Sequence, residues 1–219
     1  MLAVPLLLGH RGARAISSVA GNTVSAFDFA LQHGCDGFEF DVRLTRDNVA
    51  IVCHDPQANE LVISRSTAAQ FAHLSRLEDV VARYANSAFL DIELKVPGIE
   101  EITLATLREH PPQRGFVVSS FLPQILSELK KRDAAVPLAF ICDKKNNLQH
   151  WRELPADYVI AHHSLITPKL VNEVSGAGRK IMAWTVNSKA LMLRFADWGV
   201  HGIISDRPEL LVRTLRTTP

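Results

Sequence analysis

Apolar residues along this chain fall into short runs, and amphipathic stretches separate them from end to end. Runs at residues 5–9, 37–41, 89–93, 116–119, 138–141, 158–161, 180–184 and 202–205 have the length of buried strands. The intervening segments carry helix start and stop signals. An Asn22-Thr23 cap precedes a periodic stretch through Phe27 and Leu31 that stops at Gly34. Further helices are predicted at 77–85, at 99–109 before Pro111-Pro112, from Pro123, weakly at 148–154, from Thr167-Pro168 to Gly176, at 189–198 before Gly199, and from Pro208. Eight strand–helix units predict an α/β fold, a (β/α)8 TIM barrel, and 219 residues lies at the short end of that fold's range. A doubly wound open sheet is the alternative; the regular eight units and the absence of a Gly-rich fingerprint weigh against it.

Two of the strands have inverted polarity. In Gly37-Phe38-Glu39-Phe40-Asp41-Val42, the apolar side chains share one face while Glu39 and Asp41 share the other. Leu90-Asp91-Ile92-Glu93-Leu94-Lys95 repeats the pattern. In a barrel wrapped by helices the apolar faces point outward, so the carboxylates point inward, where they must be paired or bind a cation. A solvated surface strand would show the same alternation, but two copies favour the inward reading.

Residues 49–53 are also strand-like and would make a ninth strand. Asp47-Asn48 before them is an acceptable two-residue hairpin turn, since both residues tolerate positive φ. Residues 42–53 then form a β-hairpin extension after strand two. With that turn Arg46 pairs with Val49, and His54 is carried back opposite Asp41.

Composition changes this picture little. Lys+Arg 24 against Asp+Glu 23 leaves +1, so no net field favours nucleic acid or an anionic membrane. Three cysteines, Cys35, Cys53 and Cys142, with no C-x-x-C spacing, argue against a disulfide framework or thiolate zinc site and fit a reducing, cytoplasmic compartment. Residues 1–8 lack a basic flank and a cleavage site, contain Pro5 and run into Gly9-His10, so they read as a buried first strand rather than a secretion signal. No run of 18 apolar residues suggests a membrane anchor. The whole of 1–219 reads as one domain; its oligomeric state is not legible.

Active sites of this fold sit at the carboxyl ends of the strands. Sorting by that criterion collects His10 and Arg11, Glu39 and Asp41, His54, and Glu93 and Lys95 on one part of the rim, with Ser120, His162, His163, Trp184 and Asp206 ending later strands. Three carboxylates in one place repel unless a cation lies between them. Oxygen ligands select one hard divalent cation such as Mg2+, Ca2+ or Mn2+. A neighbouring Arg and Lys suit a bridging phosphate, and two histidines can divide general acid and general base work. Of the adjacent His162 and His163, strand geometry turns at most one to the site. Trp184 packs either a substrate's apolar part or the core. His33, His73, His110, His150 and His201 read as structural or solvated.

Gly9-His10-Arg11-Gly12, Asn22-Thr23, Glu39-Phe40-Asp41-Val42, Thr45-x-Asp47, His54-Asp55 and Glu93-Leu94-Lys95 together resemble the glycerophosphodiester phosphodiesterase family. Ser120-Phe121, Trp184-Thr185-Val186-Asn187 and residues 202–208 extend the resemblance over nearly the whole chain. It implies metal-dependent hydrolysis of a small glycerophosphodiester to glycerol phosphate and an alcohol. By position, His10 and His54 resemble the acid–base pair, Glu39, Asp41 and Glu93 the metal ligands, and Arg11 and Lys95 the phosphate binders.

Two departures stand out. The family's usual Pro-Glu pair before Asn-Thr is Ala20-Gly21 here, which removes a carboxylate. The insertion before strand three is also short, with 35 positions from His54 to Phe89, so a more open mouth and tolerance of larger alcohol groups are expected. A lysophospholipase D-type phosphodiesterase, or a phosphate-ligand binding protein with little turnover, would use the same scaffold.

Overall fold

The computed structural model describes residues 5–216, so the first four positions of the predicted opening strand lie outside it. The strands are β1 (Leu6–Gly9), β2 (Gly37–Leu44), β3 (Ala50–Val52), β4 (Gln57–Ala58), β5 (Leu61–Val62), β6 (Phe89–Leu94), β7 (Phe116–Ser120), β8 (Leu138–Cys142), β9 (Tyr158–His162), β10 (Lys180–Trp184) and β11 (Gly202–Ser205). The helices are α1 (Val24–Gln32), α2 (Leu77–Tyr84), α3 (Glu100–Glu109), α4 (Pro123–Arg132), α5 (Lys145–Leu148), α6 (Pro168–Gly176), α7 (Lys189–Asp197) and α8 (Pro208–Leu215). Eight strands, β1, β2 and β6 to β11, pair in parallel. The sheet closes on itself because β1 pairs with both β2 (Leu8 beside Gly37) and β11 (Leu6 beside Gly202). This is the expected (β/α)8 barrel.

The helix signals act as read. Thr23 Oγ1 accepts from the Ala26 amide at 3.2 Å, and Thr167 Oγ1 from the Leu170 amide at 3.1 Å, each satisfying a donor the helix start leaves open. Pro123, Pro168 and Pro208 occupy first helical positions. The weak helix near 148–154 is in fact α5 followed by a 3-10 turn, Gln149–Arg152. Among the described residues no helix is long and apolar enough to cross a membrane.

Alternation along the strands makes two layers. Phe38, Phe40 and Val42 of β2, with Leu90, Ile92 and Leu94 of β6, point outward into a large core shared with the helices. Phe27 of α1 stacks on Phe38 with ring centroids 4.2 Å apart, and Tyr84 of α2 meets Phe38 edge-on at 4.9 Å. Inside, Leu8, Val117, Ala139, Ile141, Ile160, Met182 and Ile204 fill the barrel. The inner positions of β2 and β6 break that apolar lining with carboxylates.

The hairpin exists, but its register differs from the expectation. Val42, Arg43 and Leu44 face Val52, Ile51 and Ala50, and the Thr45 amide donates to Val49 O at 3.0 Å. The loop therefore holds three residues, Arg46 to Asn48. Asn48 takes the left-handed φ of 60° that a three-residue hairpin needs in its last position. Thr45 Oγ1 donates to Asp47 Oδ1 at 2.7 Å, and Asp47 Oδ1 also accepts from the Ala68 amide, which ties the turn to the following segment. The one-residue slip puts Cys53, not His54, opposite Asp41: the Cys53 amide donates to Asp41 O at 3.0 Å.

The short insertion before β6 consists of the β4–β5 ribbon, two 3-10 turns and α2. It has a small core of its own, Ile51, Ile63 and Phe71, under the hairpin.

The aromatic stack joining α1 to β2 yields a stability prediction. Phe27→Ala, at a fully buried position, should cost about 3–5 kcal/mol in a urea melt. A loss below about 1 kcal/mol would show that the barrel wall does not depend on this contact.

Candidate active site

Registry assembles the site before any side chain is considered. In the β2–β6 pair, Glu39 lies beside Asp91 and Asp41 beside Glu93, so two rungs of paired carboxylates face the barrel interior. All four are buried. Oxygens of Glu39, Asp41 and Glu93 lie within 4.8 Å of one another, at a separation one cation could span.

Two cations come from neighbouring chain. Lys95, following β6, places Nζ 2.6 Å from Glu93 Oε1 and 3.2 Å from Asp41 Oδ1. Arg11, following β1, places Nε 3.2 Å from Asp41 Oδ2, and its amide donates to Glu39 Oε2 at 2.9 Å. Asn22 donates through Nδ2 to Asp41 Oδ2 at 2.8 Å. The loop between β1 and α1 can lie this close because Gly12, at φ 78°, packs on Ala26: a Cβ there would stand 2.5 Å from the Ala26 carbonyl carbon.

Charge and hydrogen bonding remain incomplete. Four carboxylates against Arg11 and Lys95 leave a surplus of two negative charges if all ionise. Glu39 Oε1 and Asp91 Oδ2 are buried without a hydrogen-bond partner, and Asp41 Oδ1 has the Lys95 ammonium at 3.2 Å but no hydrogen bond. Burial, reinforced by Asp41 and Glu93, pushes Glu39 well above the usual carboxylate range. Burial likewise raises Glu93 to about 7, despite the pull of Lys95, and raises Asp91 to about 7. Asp41 goes the other way: burial would raise it, but Lys95, Arg11 and the Asn22 amide outweigh that and hold it low. Orphaned hard oxygens carrying two surplus charges fit one divalent cation, and Glu39, Asp41 and Glu93 are the residues that could hold it.

The two histidines flank this cluster differently. His10 Nδ1 is 2.6 Å from Asp206 Oδ1, and its Nε2 lies 3.7 Å from Glu39 Oε2. Asp206 is held in turn by Asn187, whose Nδ2 donates to Oδ2 at 2.6 Å and whose Oδ1 accepts from the Asp206 amide at 3.0 Å. His54 is half-buried; its Nδ1 meets Asp55 Oδ1 at 2.7 Å, and Arg43 Nε donates to its carbonyl at 2.7 Å, fixing the backbone after β3. Burial lowers the His54 pKa, against the opposing pull of Asp55 and Asp41, so its imidazole is neutral near pH 7.

Trp184 is half-buried at the end of β10, edge-on to Phe121 and to His162 with centroids 5.6 Å away in each case. Together with His10, Glu39, Asp91 and Glu93 it lines a small cleft of about 20 Å³, and it also packs on the apolar residues inside the barrel. His162 and His163 do not take opposite faces. The strand ends at His162, a 3-10 turn begins at His163, and the two rings lie 4.1 Å apart. His73, read as structural or solvated, borders a groove beside His54.

The structure thus brings His10, Arg11, Glu39, Asp41, Glu93 and Lys95 into contact, with His54 and Trp184 bordering the same region. Sequence reasoning passed over Asp91, although the alternation that picked out Glu93 includes it. It also missed the Asn187–Asp206–His10 chain, which joins residues 196 positions apart and leaves no local signal.

The family model described as "Glycerophosphoryl diester phosphodiesterase family" matches residues 10–210. The chain belongs to this family. Among relatives of the glycerophosphoryl diester phosphodiesterase family, it is 28% identical over 239 aligned positions to a glycerophosphodiester phosphodiesterase of Caldanaerobacter subterraneus subsp. tengcongensis, covering 96% of this chain and 98% of that one. It shares its fold with a glycerophosphodiester phosphodiesterase from Parabacteroides distasonis (TM-score 0.85, 23% identity, 98% of both chains). It also shares it with an Oleispira antarctica phosphodiesterase solved with the product sn-glycerol-3-phosphate (TM-score 0.83, 23% identity, 98% of both chains).

The Asp206 geometry has a pH signature. Burial alone would raise the Asp206 pKa, but His10, Asn187 and Arg14 together outweigh it and lower the value, so the stabilising contribution is complete above about pH 4, the unfolded value, and is lost as pH falls through the lower folded value. The stability gap between wild type and Asp206→Asn should therefore shrink as pH falls below about 4 in denaturant titrations. A gap independent of pH throughout would show that the Asp206–His10 contact is not ionic.

Proposed function

We propose that this chain is a metal-dependent phosphodiesterase that hydrolyses glycerophosphodiesters to glycerol phosphate and an alcohol, acting as a single barrel domain. The observation that carries the proposal is the set of orphaned, buried carboxylate oxygens on Glu39 and Asp41 beside Arg11 and Lys95, in a chain of this family. Glu39, Asp41 and Glu93 would hold one divalent cation, with Mg2+, Ca2+ and Mn2+ the candidates. When bound, it supplies positive charge against the phosphoryl oxygens.

The protein's own groups account for the rest. A phosphodiester anion repels nucleophiles, and Arg11 and Lys95 lower that repulsion and stabilise charge that builds on the non-bridging oxygens. The departing alkoxide needs a proton, and the attacking water or substrate hydroxyl must lose one. His10 and His54 divide these transfers. Asp206 fixes His10 with Nε2 free toward the cleft, and Asp55 fixes His54 in the same way. Trp184 and Phe121 wall the cleft with apolar surface that excludes water from the reacting centre and packs the carbon skeleton of the substrate.

Chelation should abolish hydrolysis of glycerophosphocholine, and adding back Mg2+, Ca2+ or Mn2+ should restore it. The ion that restores activity should also raise the melting temperature of the chelated protein, since it binds only the folded state, and Glu39→Gln should remove that rise. Full activity in excess chelator would end the metal assignment.

The histidines separate chemistry from binding. His10→Ala and His54→Ala should each reduce kcat by about a hundredfold or more while the metal-induced rise in melting temperature persists. Loss of that rise in either variant would make that histidine a ligand. Arg11→Lys should also lower kcat/KM about tenfold or more, because an ammonium cannot replace the guanidinium fork on a phosphate; wild-type kinetics in that variant would remove Arg11 from phosphate binding.

A further inference from the structure

Beside the cleft lies a larger, open groove of about 490 Å³, bordered by Arg11, Arg14, Gly21, His54, Asp55 and His73 among others. Arg11 and His54 belong to the site as well as to the groove wall, so the groove opens directly onto the proposed phosphate position. The two hollows differ in kind. The cleft is small, with about 20 Å³ of free space, and is walled by Phe121, Trp184 and isoleucines. The groove has room for a much larger group, and charged and polar residues stand along its border.

Its fixed charges are one carboxylate, Asp55, hydrogen-bonded by His54 Nδ1 at 2.7 Å, and two guanidinium groups, of which Arg11 is paired with Asp41 at 3.2 Å. Arg14 is different. Its side chain is 53% exposed, and the carboxylate it meets, Asp206, lies at 3.9 Å. Both oxygens of that carboxylate already serve His10 and Asn187 at 2.6 Å. Arg14 borders the groove and is the less neutralised of its two guanidinium groups. Position 21 offers no counter-charge either: it is glycine, facing Arg11 so closely that a Cβ there would stand 3.2 Å from Arg11 Cβ.

We propose that this groove receives the departing alcohol group of the substrate, and that Arg14 makes it select alcohol groups bearing a phosphate over neutral or cationic ones. The inference rests on the phosphodiesterase reading of the adjacent site. A guanidinium fork meets a phosphate through two parallel hydrogen bonds, which an ammonium-bearing choline or ethanolamine cannot form and whose charge it repels. Because Arg14 is exposed, the preference is screened by salt.

The test compares kcat/KM for glycerophosphoinositol 4-phosphate, glycerophosphoinositol and glycerophosphocholine, with divalent metal present, at low and high salt. The two inositol substrates differ by one phosphate and little in bulk. Wild type should favour the phosphorylated one by about threefold to fivefold at low salt, the range of an exposed ion pair, and by less at high salt. Glycerophosphocholine should be the poorest of the three. Arg14→Gln should bring the inositol ratio to about one, and Arg14→Glu should invert it. Equal rates on the two inositol substrates in wild type, or a preference that survives in Arg14→Gln, would overturn this inference alone. No turnover of any of the three would overturn it together with the phosphodiesterase reading.

Discussion

Four carboxylates buried on the inner face of two neighbouring strands are the constraint around which this barrel is arranged. A buried carboxylate without compensation is among the more costly features a fold can hold. Here compensation is partial and directional. Lys95 and Arg11 serve Asp41 and Glu93, Ser119 donates to Asp91 at 2.6 Å, and the remaining oxygens face one another. The barrel tolerates this because its outer wall is strongly apolar. The same strands that carry Glu39, Asp41, Asp91 and Glu93 inward send Phe38, Phe40, Leu90 and Ile92 outward, all fully buried. The cost on one face and the gain on the other come from a single alternation of period two.

That alternation is also why so much was legible from the sequence. Period two fixes which of two faces a strand residue takes, so Glu39, Asp41 and Glu93 could be placed inside the barrel once the strands were recognised. Eight strand–helix units then fixed the architecture. Geometry set by a single residue's backbone was less accessible. Asp47-Asn48 satisfied the rule for a two-residue turn, yet the chain forms a three-residue turn with Asn48 alone in the left-handed region, because Thr45 caps the loop through its hydroxyl. His162 and His163 show the same limit, since their shared side depends on where β9 stops. The Asn187–Asp206–His10 chain depends on barrel closure, which brings β11 beside β1.

Two hollows divide the mouth. His10, Trp184 and Phe121 line the smaller, and Arg14, His54, Asp55 and His73 border the larger. The short insertion contributes through His73 and Leu74 at the groove edge, and its small core of Ile51, Ile63 and Phe71 holds the hairpin that positions His54. Shortening this segment therefore leaves the His54 side chain supported while the space above it stays open.

Glu39 illustrates how few side chains carry these functions. One of its oxygens holds the Arg11 amide in a left-handed backbone conformation, and the other is free for a cation. Asp41 repeats the arrangement by holding both Asn22 and the Arg11 guanidinium. The loop that supplies His10 and Arg11 is thus anchored by the carboxylates expected to bind the ion. In evolutionary terms, the acidic pair and the loop form one heritable unit. A change at Glu39 or Asp41 would disturb the acidic cluster and the course of the first loop at once, so the two vary together.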